Sequence, residues 1–294
     1  MQDDDDLIVI AICTRDRNAQ LERALREIAK ISVPPRVGVR IQVIDNSLDG
    51  IARETARMVG SIHDGVTYCH RPDGGIPRAR NAAILERKRD EHLVFIDDDQ
   101  WPDRSWLVRL WHVHEAYPSA IIGGKTHQVR EGGDRTPTQE ISVDGKRVDA
   151  CASGNSLLPA GLFDTNQLTF SPRYRRSGGE DTDFCFRAAS LGVATRFASS
   201  AVCFEEHGKE RYTVPYRMKL CFTHGAIYSD VVRRQRRRRI PYRLGAIITR
   251  TLIGLCKLPL GVRKSGKRSS GVEDLSLAAG GFVGLFGYLP QRYP

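Results

Sequence analysis

The 294-residue chain has no run of 18 uncharged apolar residues, which argues against a membrane-spanning helix. No secretory leader is expected either. The first apolar run is preceded by MQDDDD, whereas a secretory signal carries positive charge there, so a cytoplasmic protein is expected. There is no C-x-x-C pair. The seven cysteines are an odd number, scattered, with nearest neighbours 18 residues apart. That pattern fits small buried residues in a reducing compartment better than disulfides or zinc ligands. Around Gly74-Gly75 neither G-x-G-x-x-G nor G-K-[ST] is present, so the segment is neither a dinucleotide fingerprint nor a P-loop, and the chain has no internal repeat. Acidic residues become scarce late in the chain: residues 208–294 hold 4 Asp+Glu against 18 Lys+Arg, while residues 1–207 hold 31 against 27. The net charge of +10 therefore divides into a body at −4 and a C-terminal segment at +14. Such a segment suits an anionic partner: a membrane surface, a nucleic acid or a polyanion.

The remaining composition is that of a globular protein, 40% hydrophobic and 27% charged, which excludes a disordered chain, a collagen-like repeat and a disulfide-stapled miniprotein. Residues 7–13 (LIVIAIC) form a continuous β-branched run, as in a strand buried on both faces. Strands are also predicted at 39–45, 66–70, 92–97 and 120–124, and two short ones at 193–197 and 201–204. Helices are predicted at 20–30, 51–59, 76–89, 103–117, 181–191 and 216–234. This alternation implies βαβ units on a mostly parallel sheet. Residues 131–139, rich in Gly, Asp, Thr and Pro, read as a loop.

Five clusters could carry chemistry. Asp97, Asp98 and Asp99 end the fourth strand, where ligands of open α/β sheets sit, and three adjacent carboxylates repel unless a cation screens them. Hard oxygens there suit Mg2+ or Mn2+; the alternative is a solvated turn. Asp45, Asn46 and Ser47 end the second strand and could hold a base or ribose edge, or simply form a turn. Gly74 and Gly75 precede a helix bearing Arg78 and Arg80, an arrangement that favours a diphosphate, against a helix start with exposed arginines. Gly178-Gly179-Glu180-Asp181 could present a general base or merely cap a helix. Glu205-Glu206-His207 could complete a metal site, with a structural histidine as the alternative.

In this order, IVIAICTRDRNAQLERAL, VIDNSLDG, PRARNAAI, LVFIDDDQWPDRSWL, and SGNSLLPAGLF followed by SGGEDTDFCFRAASLGV resemble the motifs of glycosyltransferase family 2, a GT-A family. The resemblance spans roughly residues 7–210. GGEDTDFCFR and the following A-V-x-F-E-E stretch look closest to bacterial exopolysaccharide glucosyltransferases of the succinoglycan type. The resemblance implies a GT-A, Rossmann-like α/β fold with a mostly parallel sheet flanked by helices. The glycosyltransferase domain would cover 1–212, with its nucleotide-sugar half at about 1–125 and its acceptor half at about 126–212. Carried over by position, Thr14, Arg15 and Asp45 would contact the nucleoside, with Asn46 and Asp98 also on the nucleotide-sugar side. Arg80 would lie near the diphosphate. Asp97 would hold ribose or metal, and Asp99 the metal, with Asp97 and Asp99 taken as the D-x-D pair. Asp181, in the pair with Glu180, would be the base. His207 and Glu206 compete for a third metal position. Asn46 departs from the Asp often found there. The implied reaction is inverting single displacement from a nucleotide sugar, with UDP-glucose as the first guess, onto a glycan or lipid-linked acceptor.

Residues 213–294 would then form a basic helical segment that associates with membranes. Seven arginines in 233–243, apolar stretches at 244–262 and 275–289, and basic residues at 263–268 suggest interfacial helices on the inner leaflet of the plasma membrane. A solvated basic helix is the alternative. Arg250 and Lys257 weigh against a spanning segment. A sugar-phosphate nucleotidyltransferase would need a glycine-rich loop where this chain has CTRDRNAQ. A nucleic-acid binder would need a basic body or stacking aromatics, so no nucleic acid is expected.

Overall fold

The computed structural model describes residues 6–60, 65–72, 74–130, 144–164, 168–258 and 270–292. The loop expected at 131–139 and the basic stretch at 263–268 lie outside them. The chain divides into two compact units: Met1–Pro172 with Phe184–His207, and Arg173–Asp183 with Gly208–Pro294. The segment Arg173–Asp183, placed by sequence in the acceptor half, thus groups with the C-terminal helices.

In chain order the elements of the first unit are β1 (Asp6–Thr14), α1 (Asn18–Ile28), β2 (Val37–Asp45), α2 (Arg53–Gly60), β3 (Val66–His70), α3 (Ile76–Glu86), β4 (Glu91–Asp97), β5 (Gln100–Pro102), α4 (Trp106–Ala116), β6 (Ile121–Arg130), β7 (Lys146–Val148), β8 (Asn155–Leu158), α5 (Gly161–Asp164), most of α6 (Glu180–Ser190) and β9 (Thr195–His207). The alternation of side chains along β1 explains its uninterrupted apolar run. Ile8, Ile10 and Ile12 join Leu21 and Leu25 of α1 and Trp106 and Leu107 of α4 on one face. Val9 and Ala11 join Ala79 and Ala83 of α3 and Phe184 of α6 on the other. A side chain as large as Leu25, fully buried, contributes on the order of 2 kcal/mol.

The sheet order is β3-β2-β1-β4-β8-β6-β9-β5, with β7 paired to β9. The sheet is mixed rather than mostly parallel. Strands β3, β2, β1 and β4 are parallel, as are β6 and β9, but β8 runs antiparallel to both its neighbours, and β5 and β7 run antiparallel to β9. Parallel pairing needs a crossover, usually helical, and the pairing changes after β4, where β5 follows with no helix between and strict alternation lapses. Strand β6 runs on to Arg130, past the expected end at 124. The two strands expected at 193–204 are one, β9, interrupted by a register shift opposite Gly124/Lys125. At that irregularity Asp144 accepts from the Ser199 hydroxyl at 2.6 Å and the Ser200 amide at 3.1 Å, which accounts for the break in pattern. None of the seven cysteines forms a disulfide.

His114 of α4 is buried, its Nδ1 has no hydrogen-bond partner among the described residues, and its ring lies 4.6 Å from that of His92 and 4.8 Å from that of Trp111. Burial, with His92 adding to it, pushes its pKa from 6.5 down to about 4. The unfolded chain therefore takes up this proton first, so the contribution of His114 to stability is complete above about pH 6.5 and is lost as pH falls toward about 4. Thermal melts of His114→Phe should show a smaller loss of melting temperature than wild type across this window. Parallel curves would refute the assignment.

The second unit contains α7 (Val214–Gln235), α8 (Ile240–Lys257) and α9 (Gly271–Leu285). Helices α7 and α9 meet backbone to backbone: a Cβ on Gly280 would lie 1.9 Å from the Phe222 carbonyl oxygen, and one on Gly284 would lie 2.1 Å from that of Ala226. Ser270 and Glu273 form a capping box that starts α9. Fully buried Asp230 accepts from Arg173 at 3.1 Å, Tyr174 at 3.1 Å and Arg233 at 2.7 Å, tying the 173–183 segment to α7. Buried Asp274 accepts from Arg250 at 2.8 Å and Lys257 at 2.7 Å. The two cations expected to interrupt an apolar helix therefore face α9. Among the described residues no helix is long and apolar enough to cross a membrane.

Candidate active site

The parallel register sets Thr14 beside Asp45 and Cys13 beside Asp97, so the carboxyl ends of β1, β2 and β4 form one edge. Ligands of such sheets bind at this edge. The three aspartates diverge there. Asp98 turns inward, with 7% of its side chain exposed, and accepts from the Thr14 hydroxyl at 2.8 Å and from Arg17 Nη1 at 3.1 Å. Burial pushes the Asp98 carboxyl up to about 6, against the pull of Arg17 and Thr14. The side chains of Asp97 and Asp99 keep 42% and 25% of their surface in solvent. Asp97 accepts from buried Arg80 of α3 at 3.2 Å, and Asp99 accepts from Arg17 at 3.0 Å. A Cβ on Gly154 would stand 2.1 Å from Asp97 Oδ2, so any larger residue here would push that carboxylate out of place.

The two loops beside this edge are pinned from within. Asp45 is fully buried and accepts from the Ser47 and Ala52 amides, both at 2.9 Å, and from the Tyr68 hydroxyl at 2.8 Å. These hydrogen bonds hold its pKa below the usual value despite its burial. Its carboxylate shapes the β2 turn. Asn46 donates to the Arg71 carbonyl at 2.6 Å and accepts from the Gly75 amide at 2.9 Å, bridging the end of β3 to the start of α3. An aspartate could accept from Gly75 but not donate to Arg71, which gives a physical reason for asparagine here. Asn81 exchanges two hydrogen bonds with the Phe170 backbone, at 2.9 and 2.7 Å. Arg15 lies outward, 3.6 Å from Asp16, whose φ of 56° turns the chain.

The alternation of β9 separates the third-ligand candidates. Glu206 accepts from Arg23 at 2.6 Å, and that guanidinium also covers the Trp101 ring at 3.7 Å. His207 Nε2 lies 2.9 Å from Glu205 Oε1. Among the described residues no three His, Cys, Asp or Glu side chains converge on a common point. Asp97 and Asp99 offer hard oxygen donors of the kind that bind Mg2+ or Mn2+ through one or two carboxylates, with substrate phosphates completing the shell. The residues fit a metal of that sort and do not form a closed protein cage.

Glu180 and Asp181 belong to the second unit, in the first turn of α6. Gly178 and Gly179 have φ of 75° and 97°, and a Cβ on Gly179 would lie 2.2 Å from Ile227 of α7. This glycine pair is needed to bring the start of α6 onto α7. Glu180 is buried, while Asp181 is partly exposed and accepts from the Thr182 amide at 2.6 Å.

Sequence reasoning missed Arg17, Tyr68 and Gly154. Arg17 could have been suspected as a second arginine in CTRDRN. Tyr68 and Gly154 carried no local signal, because only the tertiary contact shows what they do.

Residues 9–192 match the family described as glycosyl transferase family 2. The chain belongs to that family. This family 2 chain is 27% identical over 236 residues to the succinoglycan biosynthesis protein ExoM of Rhizobium meliloti (strain 1021), covering 76% of this chain and 75% of that one. Its fold resembles that of S. aureus TarS 1–349 in complex with UDP-GlcNAc, with a TM-score of 0.55 at 15% identity over 78% of this chain and 67% of that one. It also resembles GalNAc-T7 with UDP, GalNAc and Mn2+ (TM-score 0.59, 12% identity, 79% of this chain and 50% of that one). A third likeness is to the Pyrobaculum calidifontis mannosyltransferase PcManGT in complex with GDP-Man and Mn2+ (0.57, 16%, 78% and 64%). The family 2 chain thus has the mixed α/β sheet and flanking helices of GT-A glycosyltransferases.

Proposed function

We propose that this chain is an inverting glycosyltransferase that moves a hexose from a UDP-sugar to a glycan or lipid-linked acceptor in exopolysaccharide synthesis. The observation that carries this reading is the divergence of Asp97 and Asp99 from Asp98 at the carboxyl end of β4, in a chain of this family. The likeness to ExoM supports the exopolysaccharide setting, and the nucleotide-sugar complexes of fold neighbours support the donor class. In this reading Thr14, Arg15, Asp45 and Asn46 wall the nucleoside pocket, with Asp45 and Asn46 acting by fixing its loops. Arg80 orients Asp97 and places positive charge near the diphosphate. Asp97 and Asp99 hold Mg2+ or Mn2+. When bound, such an ion supplies charge neutralisation to the departing diphosphate. Asp181 accepts the acceptor hydroxyl proton as that oxygen bonds to the anomeric carbon, and the bond from that carbon to the diphosphate oxygen breaks. His207 and Glu206, held by Glu205 and Arg23, serve as supports in the sheet.

A thermal-shift panel of UDP, GDP, ADP, dTDP and CMP, with and without Mn2+, tests the reading. Stabilisation by UDP that depends on Mn2+ is expected, because a ligand of the folded state raises the melting temperature with occupancy. No shift with any nucleotide would overturn it.

The C-terminal helices suit an anionic membrane surface in the same scheme. Leu244, Ile248, Leu252 and Leu255 follow helical spacing on α8 and are all exposed, while its cations Arg250 and Lys257 bind Asp274. Arg234, Arg237, Arg238 and Arg239 are exposed just before this helix, whereas Arg233 is engaged by Asp230 and Arg243 by Ser229. Apolar side chains along one helix face, next to clustered arginines, fit interfacial binding. The double variant Ile248→Glu, Leu252→Glu should lose flotation with phosphatidylglycerol-containing vesicles. Undiminished flotation would show that α8 is not the contact.

A further inference from the structure

The aspartate turn already has a cation of its own. A single nitrogen, Arg17 Nη1, lies 3.1 Å from Asp98 Oδ1 and 3.0 Å from Asp99 Oδ2. Arg17 arrives from the β1–α1 loop, where the positive φ of Asp16 turns the chain, and about half of its side chain remains in solvent. We infer that Arg17 is an internal counter-cation that competes with the divalent metal for Asp99. The inference rests on the metal reading of Asp97 and Asp99 proposed above.

The two contacts of Arg17 are unequal. Asp98 is buried and has Thr14 as a second donor, so this end stays in place however Arg17 turns. Asp99 is at the solvent edge, and an ion pair there is weak and easily exchanged. Arg17 engages Asp99 through Oδ2, and a metal on the same carboxylate would set a second cation beside the guanidinium, so the two repel. Metal binding therefore weakens the hold of Arg17 on Asp99, while its contact with Asp98 can persist. Without nucleotide the metal must share Asp99 with the guanidinium. A diphosphate adds new oxygen ligands and tips the competition. Arg17 is thus a positioning residue that couples metal entry to nucleotide entry.

Mn2+ binding to the full chain, followed by the electron paramagnetic resonance signal of the free ion with and without UDP, tests this. Arg17→Gln should bind Mn2+ about two- to fivefold more tightly than wild type in the absence of UDP, the scale set by a solvent-edge ion pair. With saturating UDP the difference should shrink. Arg17→Lys keeps the charge but not the fork, and should fall between the two, so it also answers the question if Arg17→Gln fails to fold. Affinity equal to or weaker than wild type, in a variant with an unchanged circular dichroism spectrum, would overturn the competition alone. If wild type binds no Mn2+ even with UDP, the metal reading falls and this inference falls with it.

Discussion

Asp181→Asn is expected to lower turnover about 1,000-fold, within the range for loss of a general base, while Mn2+-dependent stabilisation by UDP survives. The local geometry makes this a clean test. Asp181 Oδ1 accepts from the Thr182 amide at 2.6 Å and the Thr182 hydroxyl at 3.3 Å, and an asparagine oxygen can accept both. The start of α6 should therefore hold its shape while the proton acceptor is lost. Glu180→Gln is the contrast: Glu180 is buried, so its replacement should act through stability and leave turnover within about tenfold. Initial rates with saturating UDP-glucose, alongside thermal shifts, separate the cases. Undiminished turnover in Asp181→Asn would remove it as the base.

The first half of the fold was legible because its signals are local. The LIVIAIC run, the VRIQVID alternation and the HLVFID run each became a strand within two residues of the expected bounds, since burial on both faces leaves a compositional mark. The second half was less legible because its organisation depends on partners far along the chain. The antiparallel insertion of β8 between β4 and β6 has no local sequence signal. Arg250 and Lys257 read as interruptions of an apolar helix until Asp274 gave them a place. In the site, the residue types were readable but their engagement was not. DDD does not show which carboxylate turns inward. That choice is made by Thr14 and Arg17, more than 80 residues earlier in the chain. Likewise, Asp45 and Asn46 were legible as turn residues at a strand end, but only the contacts with Tyr68, Arg71 and Gly75 show that they brace the two loops.

Replacing the three aspartates one at a time should therefore give two outcomes. Asp99→Asn and Asp97→Asn should each lose Mn2+-dependent stabilisation by UDP and reduce kcat/KM by roughly 100- to 1,000-fold, about 3–4 kcal/mol of transition-state stabilisation. Asp98→Asn should keep the metal-dependent shift, because its side chain faces Thr14 and Arg17. Its signature is a pH effect on stability. Burial raises the Asp98 pKa from 3.8 to about 6, so the folded protein holds this proton more tightly than the unfolded chain. The stability it contributes is complete below about pH 4 and is lost as pH rises through about 6. Asparagine stays neutral throughout, so the melting temperature of Asp98→Asn relative to wild type should climb between pH 4 and 6 and then level off. If instead Asp98→Asn loses the metal-dependent shift while Asp99→Asn keeps it, the inward and outward aspartates have been assigned the wrong way round. The D-x-D geometry would then have to be rebuilt around Asp98, with Thr14 and Arg17 as its release points.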